Sequence, residues 1–161
     1  MFNLKTEIYL RIIFLFSLIG LISAYFIEHV LGHQPCNLCI IERIPYGISI
    51  ILIAIIFIIK KNQKFLTLLL IFTFVFSFTI SVYHYGIEQG FFQESTVCNA
   101  RNFTESITKE DLLRELSKKT ISCKDVTFRI LGFSLTSINI VISLLFIITF
   151  IKIFIKYEKN K

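Results

Sequence analysis

Four long apolar runs govern what this chain can fold into. They cover about residues 8–27, 44–59, 65–85 and 130–151, and they are continuous rather than spaced at helical or strand intervals. With hydrophobic residues making up 55% of 161 positions, a soluble domain of this size has too much surface to bury them all. A bilayer core of roughly 30 Å takes about 20 residues at 1.5 Å each, which is close to the length of these runs. The expectation is an all-α membrane protein, an antiparallel bundle of four spans forming a single domain over residues 1–161. The first run is too long for a cleavable signal peptide and lacks a small-x-small site after it. No internal repeat, low-complexity tract or second domain interrupts the pattern.

The charges report topology. The excess of 17 Lys and Arg over 11 Asp and Glu lies largely at the ends of the apolar runs, with no basic groove interleaved with aromatics, so nucleic acid is not an expected partner. Lys60, Lys61 and Lys64 crowd the turn between the second and third runs; Lys5 and Arg11 lie near the start, and Lys152, Lys156, Lys159 and Lys161 near the end. The positive-inside rule then sets both termini and that turn in the cytoplasm. Two larger loops, about Glu28 to Arg43 and Gly86 to Arg129, face outward. In the longer loop Thr108-Lys-Glu-Asp111 has the form of a capping box, and Leu112, Leu113 and Leu116 share one side of the segment that follows. A short amphipathic helix to about Lys119 is expected there, lying on the membrane surface or packed on the loop.

All four cysteines, Cys36, Cys39, Cys98 and Cys123, fall in the outward loops, where an oxidising environment favours disulfide chemistry. Cys36-Asn-Leu-Cys39 is a C-x-x-C, a spacing associated with lowered thiol pKa and a reactive disulfide. Pro35 precedes it, and a helix starting here sets both sulfurs near a dipole that favours thiolate. Arg43 stands four residues after Cys39; on a continuous helix it shares that face and stabilises a Cys39 thiolate. Pro45 marks a kink or break in such a helix. Cys98 and Cys123 are separated by 24 residues, a long span for a rigid staple and one suited to an exchangeable bond.

Other chemistries are weaker fits. A four-cysteine zinc site usually shows two short-spaced pairs, so no metal site is expected. Ile40 follows Cys39 where c-type haem attachment needs His. Two inert structural disulfides remain an alternative, although closing so short a loop as C-x-x-C restricts the unfolded chain little. A haem-bearing electron carrier using His29 or His33 with His84 is a further alternative.

At these residues the chain resembles the DsbB family, quinone reductases of the bacterial inner membrane that reoxidise a periplasmic dithiol oxidase. The resemblance rests on His29-Val-Leu-Gly-His-Gln-Pro-Cys-Asn-Leu-Cys-Ile-Ile-Glu-Arg43, on Tyr83-His-Tyr-Gly-Ile-Glu88 and on Arg129-Ile-Leu-Gly-Phe-Ser134. It implies periplasmic cysteine loops, a DsbA-like thiol oxidase as partner, and a quinone (ubiquinone or menaquinone) as electron acceptor. It further implies a Cys98–Cys123 disulfide attacked by the reduced partner, most readily at Cys98, after which Cys123 attacks Cys36 and Cys39 is released to engage the quinone. Arg43 matches the family's quinone-site arginine. His84, near the outer end of the third run, stands as a candidate for quinone binding or proton transfer.

Overall fold

A computed structural model describes residues 4–59, 62–94, 98, 122–124, 129–130 and 132–159. The elements are α1 (Leu4–His29), α2 (Asn37–Ile41), α3 (Ile44–Ile59), α4 (Gln63–Glu88), a two-stranded hairpin of β1 (Arg129–Ile130) and β2 (Phe133–Ser134), and α5 (Leu135–Lys159). Among the described residues, four segments are long and apolar enough to cross a membrane: Thr6–His29, Asn37–Ile59, Gln63–Glu88 and Leu135–Tyr157. The chain is a multi-pass membrane protein built as a four-helix bundle. Alone, the 16 residues of α3 rise only about 24 Å, so the turn of α2 before it is needed to reach spanning length. The surface helix expected between Thr108 and Lys119 lies outside the described residues.

The outer faces of the long helices are apolar, unlike those of a soluble bundle. Ile19, Ile51 and Phe72 point outward on the long helices, and Ile58 is 80% exposed. Small polar side chains instead fill the seams, with Ser49 donating to Ser17 (3.1 Å) and Ser77 paired with Ser143 (3.1 Å). Lipid is as apolar as leucine, so close backbone approach and interhelical hydrogen bonds replace hydrophobic exclusion as the packing force. Helix α4 packs most extensively on α5, α3 lies against α1 and α4, and α1 meets α5 more sparsely. The largest apolar cluster sits toward the end of the bundle that holds the termini, where Phe74 is crossed edge-on by Phe146 (5.0 Å) and stacked by Phe150 (5.7 Å). The opposite end carries the cysteines and a set of buried polar groups.

Local chemistry explains the boundaries. Helix α2 ends at Ile41 and α3 starts at Ile44, leaving Pro45 in the first turn of α3, where its missing N–H costs nothing. Helix α4 closes in a Schellman motif: Gly90 (φ 78°) donates to Ile87 O (3.0 Å) and Phe91 to Gly86 O (2.8 Å). The fourth span starts later than its apolar run suggests, at Leu135 rather than Ile130, because Gly132 (φ 88°) helps turn the preceding residues into the hairpin. It also runs past Ile151, with Lys152 and Lys156 interleaved among Ile153, Phe154 and Ile155.

Candidate functional site

The C-x-x-C is displayed by one helical turn. Cys36 is the N-cap of α2 in extended conformation, and its sulfur accepts the Cys39 N–H at 3.2 Å, as a serine or aspartate oxygen does at this position. Their sulfurs are not bonded to each other. Hydrogen bonding from the Cys39 thiol, opposed by burial and helped by the Cys39 N–H, holds the Cys36 thiol below its ordinary pKa. Glu42 caps the other end of the turn.

His84, from the last turns of α4, is buried behind Cys36, with Nε2 3.5 Å from the Cys36 sulfur. Its Nδ1 lies 2.9 Å from Glu42 Oε1 and 3.3 Å from the Thr136 hydroxyl. Thr136 in turn donates to Glu88 Oε1 (2.6 Å), one turn along α4 from His84. Glu88 Oε2 is buried without a hydrogen-bond partner among the described residues. With Nδ1 facing the Glu42 carboxylate, Nε2 is the ring nitrogen left to face the sulfur. Asn139 completes the network, donating to Glu42 Oε2 (3.2 Å) and Ser81 Oγ (2.7 Å) while its carbonyl accepts the Tyr46 hydroxyl.

Two residues after α2 ends, the Arg43 guanidinium pairs with Glu28 of α1 and covers the Tyr25 ring at 5.2 Å. Arg43 and Cys39 open onto one cavity of about 360 Å³. Its walls are mostly apolar residues of α1 and α5, and Tyr46 and Asn139 reach into it. His84 does not line that cavity; it touches the site from the far side of Cys36.

The second cysteine pair is a formed disulfide, Cys98–Cys123, with Cα atoms 5.6 Å apart. Glu94 anchors the chain around Cys123, accepting the Lys124 N–H (3.1 Å) and the Ser122 hydroxyl. Each sulfur-bearing residue is only 2% exposed, and both belong to one buried cluster with Cys36, Leu38 and Ile87. The bond is covered, because a cystine is apolar and packs on its aliphatic neighbours. The two cysteine pairs share one packed region.

Sequence reasoning missed Glu42 as His84's partner, and with it Thr136, Glu88 and Glu94. It also missed that Cys36, Cys39 and His84 converge, their ligating atoms all within 4.8 Å of one another. Only the nearness of Glu42 to the C-x-x-C, and of Glu88 to His84 by one turn, gave a signal. Of the histidines considered for a haem carrier, His29 bonds its own helix at Tyr25 O (3.1 Å), and His84 is held among sulfur and carboxylate groups.

Comparison with known proteins agrees with this arrangement. The family described as "Disulfide bond formation protein DsbB" matches residues 6–153. A protein of Rickettsia prowazekii (strain Madrid E) described as "Uncharacterized protein RP370" is 29% identical over 146 residues, covering 89% of this chain and 84% of that protein. A C-x-x-C at the rim of four membrane helices, a second cysteine pair packed beside it and a family match over nearly the whole chain lead to one assignment: the chain belongs to the DsbB family of membrane proteins of disulfide bond formation.

Proposed function

We propose that this protein is a quinone-linked protein-dithiol oxidase of the bacterial inner membrane, with its termini in the cytoplasm and its cysteine loops in the periplasm. It takes two electrons from a DsbA-like thiol oxidase and passes them through Cys98–Cys123 and Cys36–Cys39 to a quinone of the lipid phase. The observation that carries this reading is the shared location of the pairs: a disulfide and a dithiol in one buried cluster, with Cys39 also facing the apolar cavity.

A thiolate of the reduced partner attacks the Cys98–Cys123 bond, forming a mixed disulfide at Cys98 and freeing Cys123. In the oxidised resting form Cys123 then attacks Cys36, which breaks the Cys36–Cys39 bond and releases Cys39 as a thiolate. The partner's second thiolate resolves the mixed disulfide, the Cys98–Cys123 bond re-forms, and Cys36 is released beside Cys39. His84 Nε2 is within reach of the proton that Cys36 gains or loses, and Glu42 keeps that nitrogen turned to the sulfur.

The cavity suits a quinone head group. Its size falls in the usual range of about 300–1,000 Å³ for small-molecule sites, its walls are apolar, and a guanidinium, a phenol and an amide reach it. Bound there, a quinone supplies a two-electron, two-proton sink. Arg43, fixed by Glu28 and Tyr25, is positioned to orient an acceptor oxygen by a charge-assisted hydrogen bond. The test is steady-state quinone reduction by a reduced DsbA-like protein, followed for wild type and for each Cys→Ser variant. All four variants should fail; full turnover without Cys98 or Cys123 would contradict the relay.

A further inference from the structure

We propose that the reduced form carries a binding site for a thiophilic divalent cation, of which zinc is the type, with Cys36 Sγ, Cys39 Sγ and His84 Nε2 as ligands. No step of the thiol relay needs this site, and it stands whether or not the electron acceptor is a quinone. The three ligating atoms already lie within 4.8 Å of one another. A tetrahedral zinc ion bound at about 2.3 Å to sulfur and about 2.0–2.1 Å to imidazole nitrogen requires a sulfur–nitrogen edge of about 3.5 Å. The Cys36–His84 separation is 3.5 Å, so that edge is in place before an ion arrives.

The surroundings match what zinc ligands need. A metal-bound histidine usually directs its other nitrogen at a carboxylate, and His84 Nδ1 is 2.9 Å from Glu42. The Cys39 N–H, 3.2 Å from the Cys36 sulfur, is the type of donor that supports a bound thiolate. Cys36 and His84 are nearly fully buried, whereas Cys39 lines the cavity, which gives an ion a route in and leaves a fourth position for water. Two thiolates balance the charge of a divalent cation, so binding releases two thiol protons and transfers no electrons. The Cys36–Cys39 disulfide has no thiolate to offer. The site therefore exists only in the reduced protein, and an ion held there blocks re-formation of the bond.

The test uses full-length Cys98→Ser/Cys123→Ser protein in detergent, reduced and freed of reductant, without quinone or partner protein. Zinc is titrated against a chromophoric chelator. The expected result is one ion per chain in the reduced form and none after Cys36 and Cys39 are oxidised. Glu42→Gln should weaken binding by about 10–100-fold, the usual effect of losing a carboxylate behind a ligating histidine, and His84→Ala by at least as much. Affinity unchanged in His84→Ala, or equal binding to the oxidised protein, overturns the proposal. X-ray absorption at the zinc edge of the parent protein needs no further variant: two sulfur neighbours with one imidazole are expected, and sulfur with oxygen alone refutes it. Because only binding is read, failure here leaves the oxidase reading intact, and failure of that reading leaves this one standing.

Discussion

Replacing Asn139 by leucine should remove three hydrogen bonds from the bundle interior at once. Its side chain joins three parts of the structure: it accepts from Tyr46 on α3, and donates to Ser81 on α4 (2.7 Å) and to the Glu42 carboxylate (3.2 Å). Interhelical hydrogen bonds in a membrane protein average about 0.6 kcal/mol, so three give roughly 2 kcal/mol. Ser81 retains its bond to Ser77 O, but Glu42 Oε2 loses the amide that satisfies it, and a stranded buried polar atom adds about 1–3 kcal/mol. The expected loss for Asn139→Leu is therefore roughly 3–5 kcal/mol. Tyr46→Phe, which removes one of the bonds, should cost about 0.6 kcal/mol. Steric trapping in bicelles measures both. The double variant should cost little more than Asn139→Leu alone, because the shared bond is already gone. A loss for Asn139→Leu within about 0.5 kcal/mol of wild type, the range of inconsequential substitutions, would refute the reasoning. So would strict additivity with Tyr46→Phe.

Three further outcomes are expected. Arg43→Lys abandons the planar contact with Tyr25 and the fixed pairing with Glu28; the KM for quinone should rise about tenfold with kcat changed less, near the low end of the 1.5–3 kcal/mol for a hydrogen bond to a charged group. Steady-state kinetics at varied quinone would show it, and an unchanged KM would remove Arg43 from the binding site. A Cβ on Gly86 would stand 2.2 Å from Phe92 Cδ2, so Gly86→Ala should displace Phe92 from its stack on Tyr83 and lower stability by about 1 kcal/mol, read from thermal unfolding. The lowered pKa of Cys36 predicts that reduced protein gains stability from its thiolate above the ordinary thiol pKa near 8.5. That gain is lost as pH falls through the lower folded-state value. Thiolate absorbance in the Cys98→Ser/Cys123→Ser protein should follow the same curve, and Cys39→Ala, by removing the donor thiol, should move the midpoint upward.

The spans were legible because length and apolarity suffice for a membrane helix, and neither depends on tertiary contacts. Ile130 and Phe133 read as part of the fourth span because they are apolar, yet Gly132 allows the chain to turn before Leu135. The four cysteines as a group were equally legible, and they gather in one packed region at one end of the bundle. Arg43 was legible in part: the four-residue spacing from Cys39 agrees with both residues lining one cavity, but its partners Glu28 and Tyr25 come from α1 and are met only through helix packing. The histidine network was illegible for another reason. Glu42, Thr136 and Asn139 reach His84 or its carboxylate across separations of 42 to 97 residues, and only helix packing brings them together.

The account depends most on electrons passing directly from the Cys36–Cys39 dithiol to a quinone. Rapid mixing of reduced Cys98→Ser/Cys123→Ser protein in lipid nanodiscs with quinone isolates that step, with quinol followed by absorbance and free thiols counted after an acid quench. One quinol should form per chain as both thiols disappear into an intrachain bond. Thiols that persist, or quinol formed equally by Cys39→Ser protein, would contradict it.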